Sequence, residues 1–233
     1  MSTQKLLTAL LVAEAGGLEE DVEVERTDTR VEPSKAGIRT GVKYPKKLLL
    51  QALLVKSGND VARCLARDHS GGQDAFRPVM NAKARALGMG DSNFVNAHGL
   101  TEEGQESTAR DMGKLAFAAY RNQDIREAVL VEKLKFPKKG WVDEFMNTNQ
   151  LLPLPFVTGM KTGFTNAAGR CLISSGNYEG RQVLVVVLGS DRKHVFEDSE
   201  ALLRWSLRVP DDFPPPEPEE VEGEGESEAA SDS

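Results

Sequence analysis

No run of about 18 apolar residues occurs anywhere in these 233 residues, so the sequence contains no candidate transmembrane helix. Cysteine is scarce. Cys64 and Cys171 offer no disulfide framework of the kind small secreted domains use, and each reads as a small buried hydrophobe, in "NDVARCLARDH" and "GRCLISS". Histidine is limited to His69, His98 and His194, and no G-x-S-x-G elbow is present, so a Ser-His-Asp hydrolase has no support. Metal and nucleotide signatures (C-x-x-C, H-E-x-x-H, the P-loop, G-x-G-x-x-G) are missing as well, and no cofactor or metal is expected. There is no internal repeat.

Basic residues are missing from one segment. Residues 210–233 hold ten Asp or Glu and no Lys or Arg, so that segment carries −10, the rest of the chain carries +3, and the two together give the net charge of −7. A nearly neutral body gives no reason from charge to bind nucleic acid. The same segment is rich in Pro, Glu and Ser, too poor in apolar groups to offset chain entropy, and is predicted to be a disordered acidic tail. The remainder, residues 1–209, is long enough to bury a core and has ordinary globular composition.

The hydrophobic pattern divides that body in two. Residues 3–15 read as a helix apolar on nearly every side, stopped by Gly16-Gly17. "DVEVERTDTRVE" suggests short exposed strands or a turn-rich excursion. "PKKLLLQALLVKSGNDVARCLARDH" gives two helices broken at Ser57-Gly58, "DAFRPVMNAKARALGM" an amphipathic helix, and "STARDMGKLAFAAYRN" another, capped by Ser107 or Thr108. After Trp141, "FVTGMKTGF", "GRCLISSGN" and "RQVLVVVLGS" read as three strands, the last apolar on both faces and so expected at the centre of the sheet. "HVFEDSEALLRWSL" closes the body as a helix. The fold class is α+β, an antiparallel sheet flanked by a helical region.

The stretch following Met1, "STQKLLTALLVAEAG", has two readings: a secretory signal peptide, or a helix carrying a serine and a lysine one turn apart. Nothing inside it decides. Two further short pieces bear on the choice. Ser57-Gly58-Asn59 lies 55 residues after Ser2, in a loop between helices, and Lys161-Thr162-Gly163 lies 104 residues after Ser57, in a strand.

S-x-x-K, S-x-N and K-T-G in this order resemble the serine-type D-alanyl-D-alanine carboxypeptidases, the low-molecular-weight penicillin-binding proteins. "LTALLVAE", "NAKARALGM", "NFVNAHGL", "STARDMGKLA", "NTNQLLP" and "GMKTGFTNAAGRCLIS" also look like segments of that family, over roughly residues 2 to 207. The resemblance implies a β-lactamase/DD-peptidase-like fold and favours the catalytic-helix reading, because cleavage would remove the only Ser and Lys placed to complete the set.

It also implies roles. Ser2, at the start of its helix, would be the nucleophile and Lys5 its base, made neutral by burial and by the neighbouring cation Lys161. Ser57 would pass the proton to the departing D-alanine, and Asn59 would hold the substrate amide and help fix Lys5. Lys161 and Thr162 would bind the substrate's terminal carboxylate, Gly163 would let the substrate backbone lie along the strand, and the N–H groups of Ser2 and Phe164 would hold the oxyanion. His98 is expected to be structural, and Arg192-Lys193 a solvated turn. Implied partners are peptidoglycan stem peptides and, as covalent inhibitors, β-lactams.

Family members usually carry an export signal and strands ahead of S-x-x-K. With Ser2 as nucleophile, an unpaired sheet edge and a poorly covered first helix are expected. The family implies a cell-envelope or periplasmic location, although the sequence as given shows no export signal, and the acidic tail suggests no membrane anchor at the C-terminal end. Three alternatives stay open. A DD-endopeptidase uses the same machinery. A class A β-lactamase would need a deacylating glutamate, for which Glu144, 17 residues before Lys161, looks misplaced. The last is an inactive truncated homologue serving as a scaffold.

Overall fold

A helix that is apolar on every side has to be surrounded, and the fold is built around one. The computed structural model describes residues 1–210, 212 and 213. A 3₁₀ turn, Ser2–Gln4, leads into α1, Lys5–Ala15, whose residues from Lys5 to Val12 are all buried. Gly16, at φ +76°, ends it in a backbone conformation that favours glycine. Around α1 pack α3 (Lys46–Val55), α4 (Asn59–Ser70), α5 (Gln73–Ala86), α6 (Ala109–Arg121) and α7 (Gln123–Val129). The first helix is therefore well covered, contrary to expectation. Burying leucines such as Leu6, Leu7 and Leu10 to 1% exposure or less contributes roughly 2 kcal/mol each.

The break between α3 and α4 falls at Ser57-Gly58, as the sequence predicts. Of the two predicted caps on α6, Thr108 serves: its side chain accepts a hydrogen bond from Asp111 N. "DVEVERTDTRVE" forms one short strand, β1 (Asp21–Glu23), and one helical turn, α2 (Arg26–Thr29). β1 pairs antiparallel with β2 (Lys43–Pro45).

The main sheet has the order β5 (Val157–Thr165), β6 (Gly169–Tyr178), β7 (Arg181–Ser190), antiparallel throughout, followed by α8 (His194–Leu207). The expected α+β arrangement of helices and antiparallel sheet holds. One detail does not: among the described residues β7 is an edge strand and β6 the central one. Apolar residues on both faces of β7 reflect helices on both sides of the sheet, not strands on both edges. Leu184 and Val186 join the helical core, while Val183, Val185 and Val187 face the cluster under α8 with Leu203 and Leu207.

A hairpin of β3 (Lys133–Lys138) and β4 (Trp141–Met146), together with α7, has no counterpart in the sequence reading. Lysines at 133, 135, 138 and 139 and Pro137 obscure an alternation whose inward members, Leu134, Phe136 and Phe145, are buried. Phe136 stacks on Phe145 at 5.2 Å and on Tyr44 of β2 at 5.3 Å, tying the hairpin to the ribbon. The expected acidic tail lies outside the described residues apart from Pro210, Asp212 and Phe213; the Phe213 ring packs edge-on against Tyr178 at 5.4 Å.

Candidate active site

Lys5 is wholly buried at the start of α1, and its Nζ has three oxygen neighbours: Ser2 Oγ at 2.9 Å, Asn59 Oδ1 at 2.7 Å and the His98 carbonyl at 2.6 Å. The i to i+3 spacing puts serine and lysine on one face. Burial, then the nearby Lys161 cation, push the Lys5 amine well below its ordinary pKa of 10.5, opposed in part by the Asp60 carboxylate. A neutral amine has two N–H donors and one lone pair. Two neighbours are acceptors only, and the third is a hydroxyl able to donate. The three contacts fit a neutral Lys5 whose lone pair faces the Ser2 proton.

Ser57 and Asn59 reach this point through a loop pinned by a residue outside the S-x-N triplet. Asp60 is buried; its Oδ1 accepts from Ala36 N (2.9 Å) and Val61 N (3.0 Å), and its Oδ2 from Gly37 N (2.7 Å) and Ile38 N (3.2 Å). At the N-terminus of α4 such a carboxylate is also favoured by the helix dipole. Asn59 is held from both sides, its Oδ1 on Lys5 and its Nδ2 donating to Glu32 O at 2.9 Å. Ser57 has φ +65°, unusual for a residue with a Cβ, and its buried Oγ has no hydrogen-bond partner.

β5 supplies the third piece. Strand alternation puts Lys161 and Gly163 on the face toward the Ser2–Gln4 turn, and Thr162 and Phe164 on the other. Lys161 is 1% exposed, burial alone lowers its pKa to about 7, and its ammonium is not among the groups that line the cleft. Thr162 Oγ1 donates to Thr148 Oγ1 at 2.6 Å. Gly163 lies against the backbone of Ser2 and Thr3: a Cβ there would come within 2.9 Å of Thr3 N and 3.1 Å of Ser2 N. Both atoms are backbone and cannot move aside singly. Gly163→Ala is therefore expected to cost roughly 1–3 kcal/mol, read as a lower urea midpoint, and to slow any reaction at Ser2. An unchanged midpoint would show that the turn has slack.

Motif reading alone passes over the "NAHGL" loop, where His98 was expected to be structural. Its ring is buried and its pKa is pushed down to about 3, chiefly by desolvation, so it stays neutral, while its carbonyl is the third contact of Lys5. Asn96 Oδ1 accepts from Gly99 N at 2.7 Å, and Gly99, at φ +84°, lets the loop lie against Met1 O and Ser2 N. Arg192 and Lys193 are exposed, as expected of a solvated turn. Cys64 and Cys171 are buried and unpaired, also as expected.

These pieces border a cleft of about 480 Å³ lined by Ser2, Ser57, Asn59, Thr162, Gly163 and Phe164, among others. It contains a serine hydroxyl with an adjacent buried lysine amine and a neighbouring unpaired hydroxyl, an arrangement of the kind acyl transfer needs.

The profile of the D-alanyl-D-alanine carboxypeptidase family matches residues 1–192. The chain is 34% identical over 214 residues to the D-alanyl-D-alanine endopeptidase of Escherichia coli, covering 88% of this chain and 68% of that one. It is 33% identical over 190 residues to the D-alanyl-D-alanine carboxypeptidase DacB2 of Mycobacterium tuberculosis, covering 80% and 65%. The chain thus spans about two thirds of the length of these relatives. A crystal structure of a D-alanyl-D-alanine carboxypeptidase from M. tuberculosis superposes with a TM-score of 0.83 at 30% identity, over 91% of this chain and 82% of that one.

Proposed function

This chain belongs to the D-alanyl-D-alanine carboxypeptidase family, a family of DD-peptidases, and from that membership we propose that it removes the terminal D-alanine from D-Ala-D-Ala stem peptides through an acyl-enzyme on Ser2. The observation that carries this reading is the Lys5 amine, hydrogen-bonded to Asn59 and the His98 carbonyl with one position left for the Ser2 hydroxyl. Ser2 Oγ attacks the carbonyl carbon of the penultimate residue as its proton passes to Lys5. The oxyanion is held by the N–H groups of Ser2 and Phe164, with Gly163 keeping the two backbone segments side by side. Ser57, its hydroxyl unpartnered, hands its proton to the departing D-alanine amine and takes the one held by Lys5 in return, so that Lys5 is neutral again and can serve as base when water hydrolyses the ester. Asn59 positions Lys5, Thr162 and Phe164 border the substrate, and Lys161 acts on Lys5 through its charge.

By the same reading β-lactams acylate Ser2, and the protein works in the cell envelope, outside the cytoplasmic membrane, where peptidoglycan lies. No helix among the described residues is long and apolar enough to cross a membrane. A second reading, DD-endopeptidase, is favoured by the endopeptidase relative that matches 88% of this chain. Supplying an N-acetylated stem peptide and a D,D-cross-linked muropeptide dimer separates the two. Free D-alanine released faster from the monomeric peptide is expected, cleavage of the dimer alone assigns the endopeptidase, and no turnover of either overturns both.

The pH dependence of acylation gives a further check. A base that must be neutral makes the rate rise with pH through its pKa, and burial beside Lys161 puts that rise well below 10.5. Lys5→Arg cannot shed its proton at any working pH, and acylation should fall roughly 10²–10⁴-fold. A Lys5→Arg protein labelled at the wild-type rate would remove Lys5 from the mechanism.

A further inference from the structure

Beyond Thr162 and Phe164 the outward face of β5 continues onto β6. Arg170 lies directly across from Phe164, and Leu172 across from Thr162. Thr162 and Arg170 are thus diagonal neighbours on one face, with Cβ atoms about 7–8 Å apart, within the reach of an arginine side chain. The Arg170 guanidinium carbon sits 4.5 Å from the centre of the Phe164 ring. That stacking holds the planar fork in place without using its donors. Its Nε is buried with no hydrogen-bond partner, and among the described residues no carboxylate pairs with it.

An arginine in this state lacks an anion. Among the residues lining the cleft the cations are Lys56 and Arg170. Lys56 lies beside Ser57 with its ammonium 5.3 Å from the centre of the Phe145 ring, so Arg170 is the cation of the β5–β6 wall. The α8 residues lining the cleft, Val195 and Phe196, are apolar. Lys161, to which the family resemblance gives the carboxylate, is buried on the opposite face of β5 and is only partly charged at neutral pH.

We propose that Arg170, steadied by Phe164 and next to the Thr162 hydroxyl, receives the terminal carboxylate of the substrate and so makes the cleft prefer peptides with a free C-terminus. This deepens the peptide reading given above and rests on it. A guanidinium can take both carboxylate oxygens at once, a geometry that a buried point-charge amine cannot supply. Phe164 then has a second role beside its backbone N–H: its ring sets the height of the fork over the strand.

Ligand-observed NMR titration in the Ser2→Ala background reads binding without turnover. The probes are an N-acetylated tripeptide ending in D-Ala-D-Ala and its C-terminal carboxamide. With Arg170 present the acid binds more tightly. Arg170→Gln should weaken the acid about tenfold to a hundredfold and leave the amide within about threefold, the loss expected for one charge-assisted contact. Arg170→Lys, which keeps the charge but loses the fork, should retain part of the preference, and it carries the test where Arg170→Gln fails to fold, as judged by its melt. Acid preference that survives in Arg170→Gln, or that is undiminished in Arg170→Lys, overturns this assignment alone, as does an equal loss for acid and amide. Failure of the Arg170 protein to bind either peptide overturns the peptide reading, and this inference with it.

Discussion

Ser2→Ala should abolish covalent labelling by a fluorescent penicillin and release of D-alanine while leaving the melting temperature within a few degrees of the parent. The two halves have different causes. The Ser2 oxygen makes one side-chain contact, to Lys5 Nζ at 2.9 Å, and the residue is only partly buried at the cleft, so removing it empties no core space. α1 is held by its leucines and by five packed helices. Lys5 keeps Asn59 and the His98 carbonyl, so no buried donor is stranded. For chemistry, loss of the nucleophile in a coupled serine machinery costs on the order of 10⁶-fold in turnover. Intact-mass measurement after incubation with penicillin decides: an adduct on the Ser2→Ala protein would show that another group is acylated. Loss of the fold along with the adduct would show that the hydroxyl also has a structural role.

How much of this site was visible in the sequence depends on how each residue does its work. Ser2, Ser57 and Lys161-Thr162-Gly163 could be picked out because side-chain type and order along the chain carry their chemistry. The fold brings the Ser2 turn, the loop before α4 and β5 to one cleft. His98 and Asp60 could not be placed this way. His98 contributes a carbonyl, which every residue has, to a partner 93 positions away, and Asp60 binds three N–H groups of a loop more than 20 residues earlier. The motif marks Gly163 for the substrate's backbone; its approach to Ser2 N belongs to the packed chain. The elements follow the same rule. α1 and α4 announce themselves by composition and periodicity, whereas a double-sided apolar strand such as β7 looks the same whether strands or helices cover it. Arg170 stands one residue inside "GRCLISS", and only the register opposite Phe164 reveals what its side chain faces.

Lys161→Met should raise stability at neutral pH while it slows acylation. Lys161 has one hydrogen-bond partner, the Thr162 carbonyl at a long 3.3 Å, so replacing its amine with a thioether of similar length strands almost nothing. Burial lowers the pKa of the amine from 10.5 to about 7 in the folded protein, while the unfolded chain keeps the ordinary value. Between those two values the unfolded state binds more protons than the folded one, so the stability of the parent climbs as pH rises from about 7 toward 10.5. Below that window the folded protein bears the full cost of a buried ammonium, and above it the cost is gone. Lys161→Met removes the cost throughout, so its advantage is largest at pH 7 and below, a few kcal/mol at order-of-magnitude level, and shrinks toward pH 10.5. The catalytic effect has the opposite sign. Without the neighbouring cation the Lys5 pKa moves back up, less of it is neutral at pH 7, and the rise of the acylation rate with pH shifts to more alkaline values. Urea midpoints and penicillin acylation rates taken at pH 7 and pH 9.5 test both halves together. A variant less stable than the parent at pH 7 would mean that the Lys161 ammonium is matched by interactions stronger than its single contact. An unshifted acylation profile would mean that Lys5 is kept neutral by burial alone.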